Sequence, residues 1–221
     1  MVAREYMIND IVPLKTSDSS GVALQLMDEY KVSQFPIVNN TSFLGLISET
    51  DIVLMDDLSL PIGNHKLLKP NLFIEPCKHM FDVIRYMFDN SLSLVPIVSD
   101  DTRYEGVITY ECLLKACADL SSSDSPGSII VLEMSDNDYY LSELTRLLEE
   151  ENTKVLSLGV KTFPNSTKIE VNLKVNKIDI SRILSTLQRF NYVIKASWTE
   201  SPDDNESLRN RYDSLMKYLD I

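Results

Sequence analysis

The sequence predicts a mixed α/β (α+β) chain made of two unlike parts. Three observations carry this. The first half repeats itself, a polar serine-rich stretch follows at Ser121–Ser128, and the second half reads strand, helix, strand, strand, helix, strand.

The repeat is the strongest of the three. Phe35–Asp51 reads FPIVNNTSFLGLISETD and Val95–Cys112 reads VPIVSDDTRYEGVITYEC. Pro36 aligns with Pro96 at an offset of 60, and Gly45 with Gly106 at an offset of 61. The extra residue falls in the polar turn, where a surface loop tolerates it. Upstream, Ala23, Leu24 and Met27 align with Val83, Ile84 and Met87, at the spacing of a helix's apolar face. Val32-Ser33 aligns with Leu92-Ser93. Each copy therefore predicts helix, short strand, turn, short strand, helix. The last helix starts near Glu49 in one copy and Glu111 in the other, and Ser48 is placed to cap the first of these. Each copy leaves an apolar face that the other can cover. The expectation is one intramolecular pair, repeat one over 1–60 and repeat two over 61–120, joined by the acidic, proline-containing stretch Asp56–Pro70.

Residues 121–128, SSSDSPGS, have linker composition. A domain over 129–200 follows. Ser128–Met134 reads as a strand, and the next helix places Leu141, Leu144 and Leu148 on one face. KVLSLGVKTF is a second strand. In the third, Ile169, Val171, Leu173 and Val175 alternate with Lys168, Glu170, Asn172 and Lys174. Ile180, Ile183, Leu184 and Leu187 mark another helix, and YVIKASW closes as a strand. This βαββαβ order is that of a ferredoxin-like unit, an antiparallel sheet with helices on one face. Residues 201–221 are expected to form a C-terminal helix with Leu208, Tyr212, Leu215 and Leu219 as its apolar stripe.

Composition narrows the function. With 33 acidic against 21 basic residues the formal charge is -12, which opposes binding to nucleic acid or an anionic membrane. No stretch approaches the roughly 20 apolar residues that span a bilayer. Met1–Asp10 has no apolar signal core. Cys77, Cys112 and Cys117 form no CxxC pair and read as reduced thiols, so a cytoplasmic location is expected. His65 and His79 have no metal-ligand spacing, and no metal site is expected. The glycine motifs of phosphate loops and hydrolase elbows are missing, so the chain is expected not to be an enzyme.

The shared pattern is apolar-Pro-[IV]-[VI], a turn, then Gly, two apolar residues, [ST], two residues and Asp. FPIV with GLISETD fits all of it; VPIV with GVITYEC fits all but the last position. This resembles the CBS domain, over roughly residues 1–120. The resemblance implies a regulatory module that holds adenosine, AMP, ATP or S-adenosylmethionine in the cleft between the repeats, forms a homodimer and acts on an unknown regulated protein. It also implies the site. Ser48 and Asp51 would hold the ribose hydroxyls; Phe35, Pro36, Ile37 and Val38 would line the adenine, with Ile11, Val12 and Leu14 entering beside them. Thr109 would supply the second copy's hydroxyl, where Cys112 replaces the carboxylate and Glu111, one position off, is expected to point elsewhere. The plainer reading makes Ser48 and Asp51 a helix cap and Ile37 and Val38 core. The cations Lys15, Lys31, Lys66, Lys69, Arg103 and Lys115 form no cluster, which favours a ligand of low charge. Behind such a pair, the βαββαβ unit resembles an ACT domain, as in CBS–ACT proteins of the acetoin-utilisation type. Its first turn, SDNDYY, lacks the Asp-x-Pro-Gly pattern that often holds an amino acid there. The alternative for the whole chain is a structural dimerisation module that has lost ligand binding.

Overall fold

The computed structural model describes residues 1–55, 57–64, 71–99 and 102–199. They fall into two units that divide between Cys117 and Ala118. In the first unit, α1 (Ala3–Tyr6) precedes α2 (Ser20–Glu29), whose N-cap Ser19 accepts from the Val22 N–H. β1 (Gln34–Asn39) and β2 (Ser42–Ser48) form an antiparallel hairpin, followed by α3 (Glu49–Val53). The second copy follows the same course through α4 (Met80–Asp89), β3 (Leu94–Val98), β4 (Tyr104–Thr109) and α5 (Tyr110–Ser121).

The repetition reaches the level of single hydrogen bonds. Leu14 bridges parallel to Ile37 as Ile74 does to Ile97. Both hairpins shift register at one place, Ile37/Val38 and Ile97/Val98. Lys31 and Ser91 both adopt φ 52°, just past their helices. There the Val32 N–H donates to the Met27 carbonyl at 3.0 Å and the Leu92 N–H to the Met87 carbonyl at 2.9 Å, closing each helix end. A side chain is strained in that left-handed conformation. Ser91→Gly is therefore expected to raise the unfolding free energy by about 0.5–1 kcal/mol, read as a higher denaturant midpoint.

The two copies share one core, with Phe35, Ile37 and Leu46 of the first and Leu94, Ile97 and Ile108 of the second all buried. At the seam, the Ser33 N–H donates to Ser93 Oγ at 2.8 Å and the Ser93 N–H to Gln34 Oε1 at 2.9 Å. The hairpins also meet, through Phe43 N–H to the Thr102 carbonyl at 2.9 Å and Tyr104 N–H to the Thr41 carbonyl at 2.8 Å. Burial pushes the Tyr104 hydroxyl pKa up, and among the described residues that hydroxyl has no hydrogen-bond partner. Tyr104→Phe is expected to stabilise the protein by about 1 kcal/mol, seen as a higher melting midpoint, because it removes a buried donor that makes no bond.

The first eight residues hydrogen-bond to the second copy. The Ala3 N–H donates to the Lys78 carbonyl at 2.8 Å, and Ile8 exchanges two backbone bonds with Val107, at 2.9 and 3.0 Å. Arg4 pairs with Glu105 at 3.0 Å. Gly106 admits this arm: a Cβ there would lie 2.6 Å from the Ile8 carbonyl oxygen.

The second unit runs β5 (Ser128–Ser135), α6 (Leu141–Glu150), β6 (Val155–Thr162), β7 (Lys168–Val175), α7 (Ser181–Arg189) and β8 (Val193–Thr199). Its sheet order is β6-β7-β5-β8 and every pairing is antiparallel, the ferredoxin-like arrangement. Ile130, Leu132, Val171 and Leu173 of the sheet pack with Leu144, Leu148, Ile183 and Leu187 of the helices. Glu170, on the opposite side of β7, is nonetheless buried and pairs with Lys195. The stretch read as a linker begins inside α5, whose last residue is Ser121. The expected C-terminal helix over 201–221 lies outside the described residues, as do Asp56 and residues 65–70 of the expected connection.

Candidate functional site

β2 ends at Ser48 and α3 begins at the next residue, so Ser48 is the N-cap and Asp51 the third helical position. The pair satisfies itself in both directions. Asp51 Oδ2 accepts from the Ser48 N–H at 2.9 Å and from the Ser48 hydroxyl at 2.5 Å. The Asp51 N–H donates to Ser48 Oγ at 3.2 Å, and the Thr50 hydroxyl lies 2.8 Å from the same oxygen. This is a capping box with aspartate in the usual glutamate position. Ser48 is buried and Asp51 half-buried. The carboxylate keeps Oδ1 outside this network, so it can cap the helix and still accept from a ligand hydroxyl.

The second copy repeats the arrangement with weaker chemistry. Thr109 Oγ1 lies 3.5 Å from Cys112 Sγ, a sulfur where the first copy has a carboxylate. Beside Thr109 opens a cleft of about 490 Å³. Ile8 and Ile11 of the N-terminal arm form one wall, Tyr30 and Lys31 at the end of α2 another, and Ser93 closes it near the seam. Glu111 also lines this cleft, where the sequence reading had it pointing elsewhere. Glu111 opens α5 in its exposed first turn, which faces the arm. With Asp10 and Glu29 it gives the lining, among the described residues, three carboxylates and the cation Lys31.

The expected ligand set does not converge on one place. Phe35 and Ile37 have no exposed surface, and Pro36 and Val38 are buried with them. They hold the hairpin, and the Pro36 carbonyl accepts from the Leu14 N–H at 2.9 Å. Val12 is 70% exposed and sits with Pro13, Lys15 and Val38 at a separate depression. Of the candidate cations, Lys31 lines the Thr109 cleft, while Lys66 and Lys69 lie outside the described residues. The repeat offset maps this cleft onto Ser48, Ser33 and residues 68–71, of which 68–70 lie outside the described residues.

The lining residues that the sequence reading missed include Ile8, Asp10, Glu29, Tyr30 and Ser93. Ser93 had a signal, since it aligns with Ser33 in the repeat. Ile8 and Asp10 had none, because nothing in their composition shows that the arm crosses to the other copy. His79 Nδ1 accepts from the Phe81 N–H at 3.2 Å as the cap of α4.

Residues 3–55 and 78–119 match the CBS domain family. The inosine-5'-monophosphate dehydrogenase of Methanocaldococcus jannaschii is 27% identical over 114 residues, which is 51% of this chain and 23% of that protein. An uncharacterized protein of the same archaeon is 28% identical over 105 residues, 48% of this chain and 40% of its own length. The chain thus spans less than half of either curated relative. Among solved structures, a CBS domain pair/ACT domain protein from Thermotoga maritima aligns at 19% identity and TM-score 0.47, covering 53% of this chain and 96% of its own.

Proposed function

Because the first unit of this chain is a CBS domain pair, we propose that it is a non-catalytic sensor of an adenosyl compound, with Asp51 as the ribose acceptor. The observation that carries this is the Ser48–Asp51 box, which fixes the carboxylate at a helix start through Oδ2 and, among the described residues, leaves Oδ1 outside its hydrogen bonds. A vicinal diol offers two donors close together, and a charged acceptor held rigidly binds them most strongly. The formal charge of -12 and the scattered cations of the sequence suit adenosine, AMP or S-adenosylmethionine better than ATP. Binding shifts the arrangement of domains or subunits only as far as the ligand's affinities for the two states differ. Native mass spectrometry of the purified protein tests the reading. A bound nucleoside or nucleotide that Asp51→Ala loses supports it, and the same adduct on both proteins contradicts it.

A second reading has its own observation. The sulfur at Cys112 removes the carboxylate from one half of the pair. On this reading the pair is a dimerisation platform without a ligand. A retained nucleoside counts against it.

Homodimerisation through the helices of the first unit belongs to both readings. Phe88 of α4 is 83% exposed, Leu54 after α3 is 82% exposed, and Phe81 and Leu114 also stand in solvent. Four large apolar groups on or just after helices of one unit are the kind of surface an identical subunit covers. Phe88→Glu combined with Leu114→Glu is expected to turn a dimer into a monomer at micromolar concentration, measured by light scattering. No helix among the described residues is long and apolar enough to cross a membrane. With the acidic composition and unpaired thiols, this fits the cytoplasmic location we propose. The second unit fits an ACT-like coupling domain by its strand order. The partner protein that the module regulates is a separate part of the proposal.

A further inference from the structure

A groove of about 460 Å³ opens at one end of the second unit, between the turn that follows β5 and the turn that joins α7 to β8. Three large apolar side chains line it and still face solvent: Tyr140 is 61% exposed, Val193 59% and Phe190 39%. Their places follow from the fold. Tyr140 is the N-cap of α6 and Phe190 the C-cap of α7, so both stand at helix ends, and Val193 opens the edge strand β8. Exposed rings and a branched side chain gathered on one groove mark a surface that another molecule covers.

Charge selects the molecule. Glu133, Asp138 and Glu143 also line the groove, and among the described residues the lining holds no lysine or arginine. Lys168 pairs with Glu133 at 2.6 Å, whereas the carboxylates of Asp138 and Glu143 make no hydrogen bond or ion pair among the described residues. The guanidiniums of Arg146 and Arg189 lie over the Phe190 ring at 5.9 and 5.4 Å, so a cation on that ring is a contact the protein already makes. Arg146 is itself paired with Glu150. A second copy is a poor cover. A two-fold contact would set Asp138 and Glu143 against their own copies, in a chain of formal charge -12. A cationic chain meets the same carboxylates with the opposite sign.

We propose that this groove docks a basic segment of another protein. One apolar or aromatic anchor of that segment sits on Tyr140, Phe190 and Val193, and flanking lysines or arginines face Asp138 and Glu143. The site uses the second unit alone and stands apart from the adenosyl reading of the first.

The probe is a fluorescein-labelled peptide with one phenylalanine between two short runs of lysine. It is titrated into the full chain at about 0.15 M salt, which screens diffuse attraction, and read by fluorescence anisotropy. The parent should bind it, and should bind the same peptide with alanine for phenylalanine about fivefold more weakly or worse. Asp138→Asn with Glu143→Gln, and separately Tyr140→Ala, should each weaken binding by about fivefold or more. Asp82→Asn with Glu149→Gln removes two exposed carboxylates elsewhere and should change it by less than about twofold. Far-ultraviolet circular dichroism checks that every variant stays folded. No binding by the parent would overturn the proposal, as would equal affinities for the two peptides. Equal losses in the groove pair and the control pair would mean attraction to the acidic chain at large, and would overturn it too. So would a light-scattering mass that halves in Tyr140→Ala, which would give the groove to a second copy.

Discussion

Gly106→Ala is expected to lower the unfolding free energy by about 3 kcal/mol, the combined scale of overpacking and backbone strain at one position. The added Cβ would lie 2.6 Å from the Ile8 carbonyl oxygen and would meet the Asn9 side chain as well. The first of these is backbone held by two hydrogen bonds to Val107, so it cannot swing aside as a flexible side chain would. The φ of 159° at Gly106 is one that side chains rarely adopt, so backbone strain adds to the close approach. The damage should be local to the arm. Amide exchange at Ile8 and Val107 should rise far more than at Ile130 or Val171 in the other unit. Ile8, Asp10 and Ile11 wall the Thr109 cleft, so the same variant should also distort that cleft. Equal stability of the variant and the parent would mean that the arm does not sit against β4 in solution.

Asp51→Ala is expected to have two separable effects. The helix cap loses one of its two directions, while the Ser48 hydroxyl still accepts from the backbone N–H at position 51. The cost in stability should therefore be small, about 1 kcal/mol. Loss of a charged acceptor for ribose hydroxyls is worth about 1.5–3 kcal/mol, or roughly 10- to 100-fold in affinity. Titration calorimetry and denaturant unfolding on the same pair of proteins separate the two. A large loss of stability with unchanged affinity would reduce Asp51 to a capping residue. Ser48→Ala makes a useful companion, because it removes the cap hydroxyl and leaves the carboxylate.

Much of the fold was legible in the sequence, and for identifiable reasons. The two hairpins were readable because Pro36 and Pro96, and Gly45 and Gly106, hold equivalent backbone positions, and the structure repeats even their register shifts. β7 was readable because strict alternation means one face in and one out. Glu170 shows the limit: alternation assigned its face, but not its burial beneath Lys195. The candidate site was only half legible. Ser48 and Asp51 were found because a hydroxyl and a carboxylate three apart at a helix start meet through local geometry alone. Phe35 and Ile37 were placed beside a ligand, whereas the pairing of the copies seals them in the core. That burial depends on what lies opposite, which a strand's own pattern does not encode. The arm's crossing to β4, and Glu111's place in the cleft it walls, are likewise long-range contacts with no local signature.

The central claim is that an adenosyl compound binds this CBS pair through Asp51. The most direct measurement is the melting midpoint of the parent and of Asp51→Ala, each with adenosine, AMP, ATP or S-adenosylmethionine. At a concentration near 100 times its dissociation constant, a ligand of the native state adds about 2.7 kcal/mol, a rise on the order of 10 °C for a domain this size. The account predicts such a rise for the parent with at least one of the four, and little or none for Asp51→Ala. No rise with any of them, or an equal rise in both proteins, would contradict it.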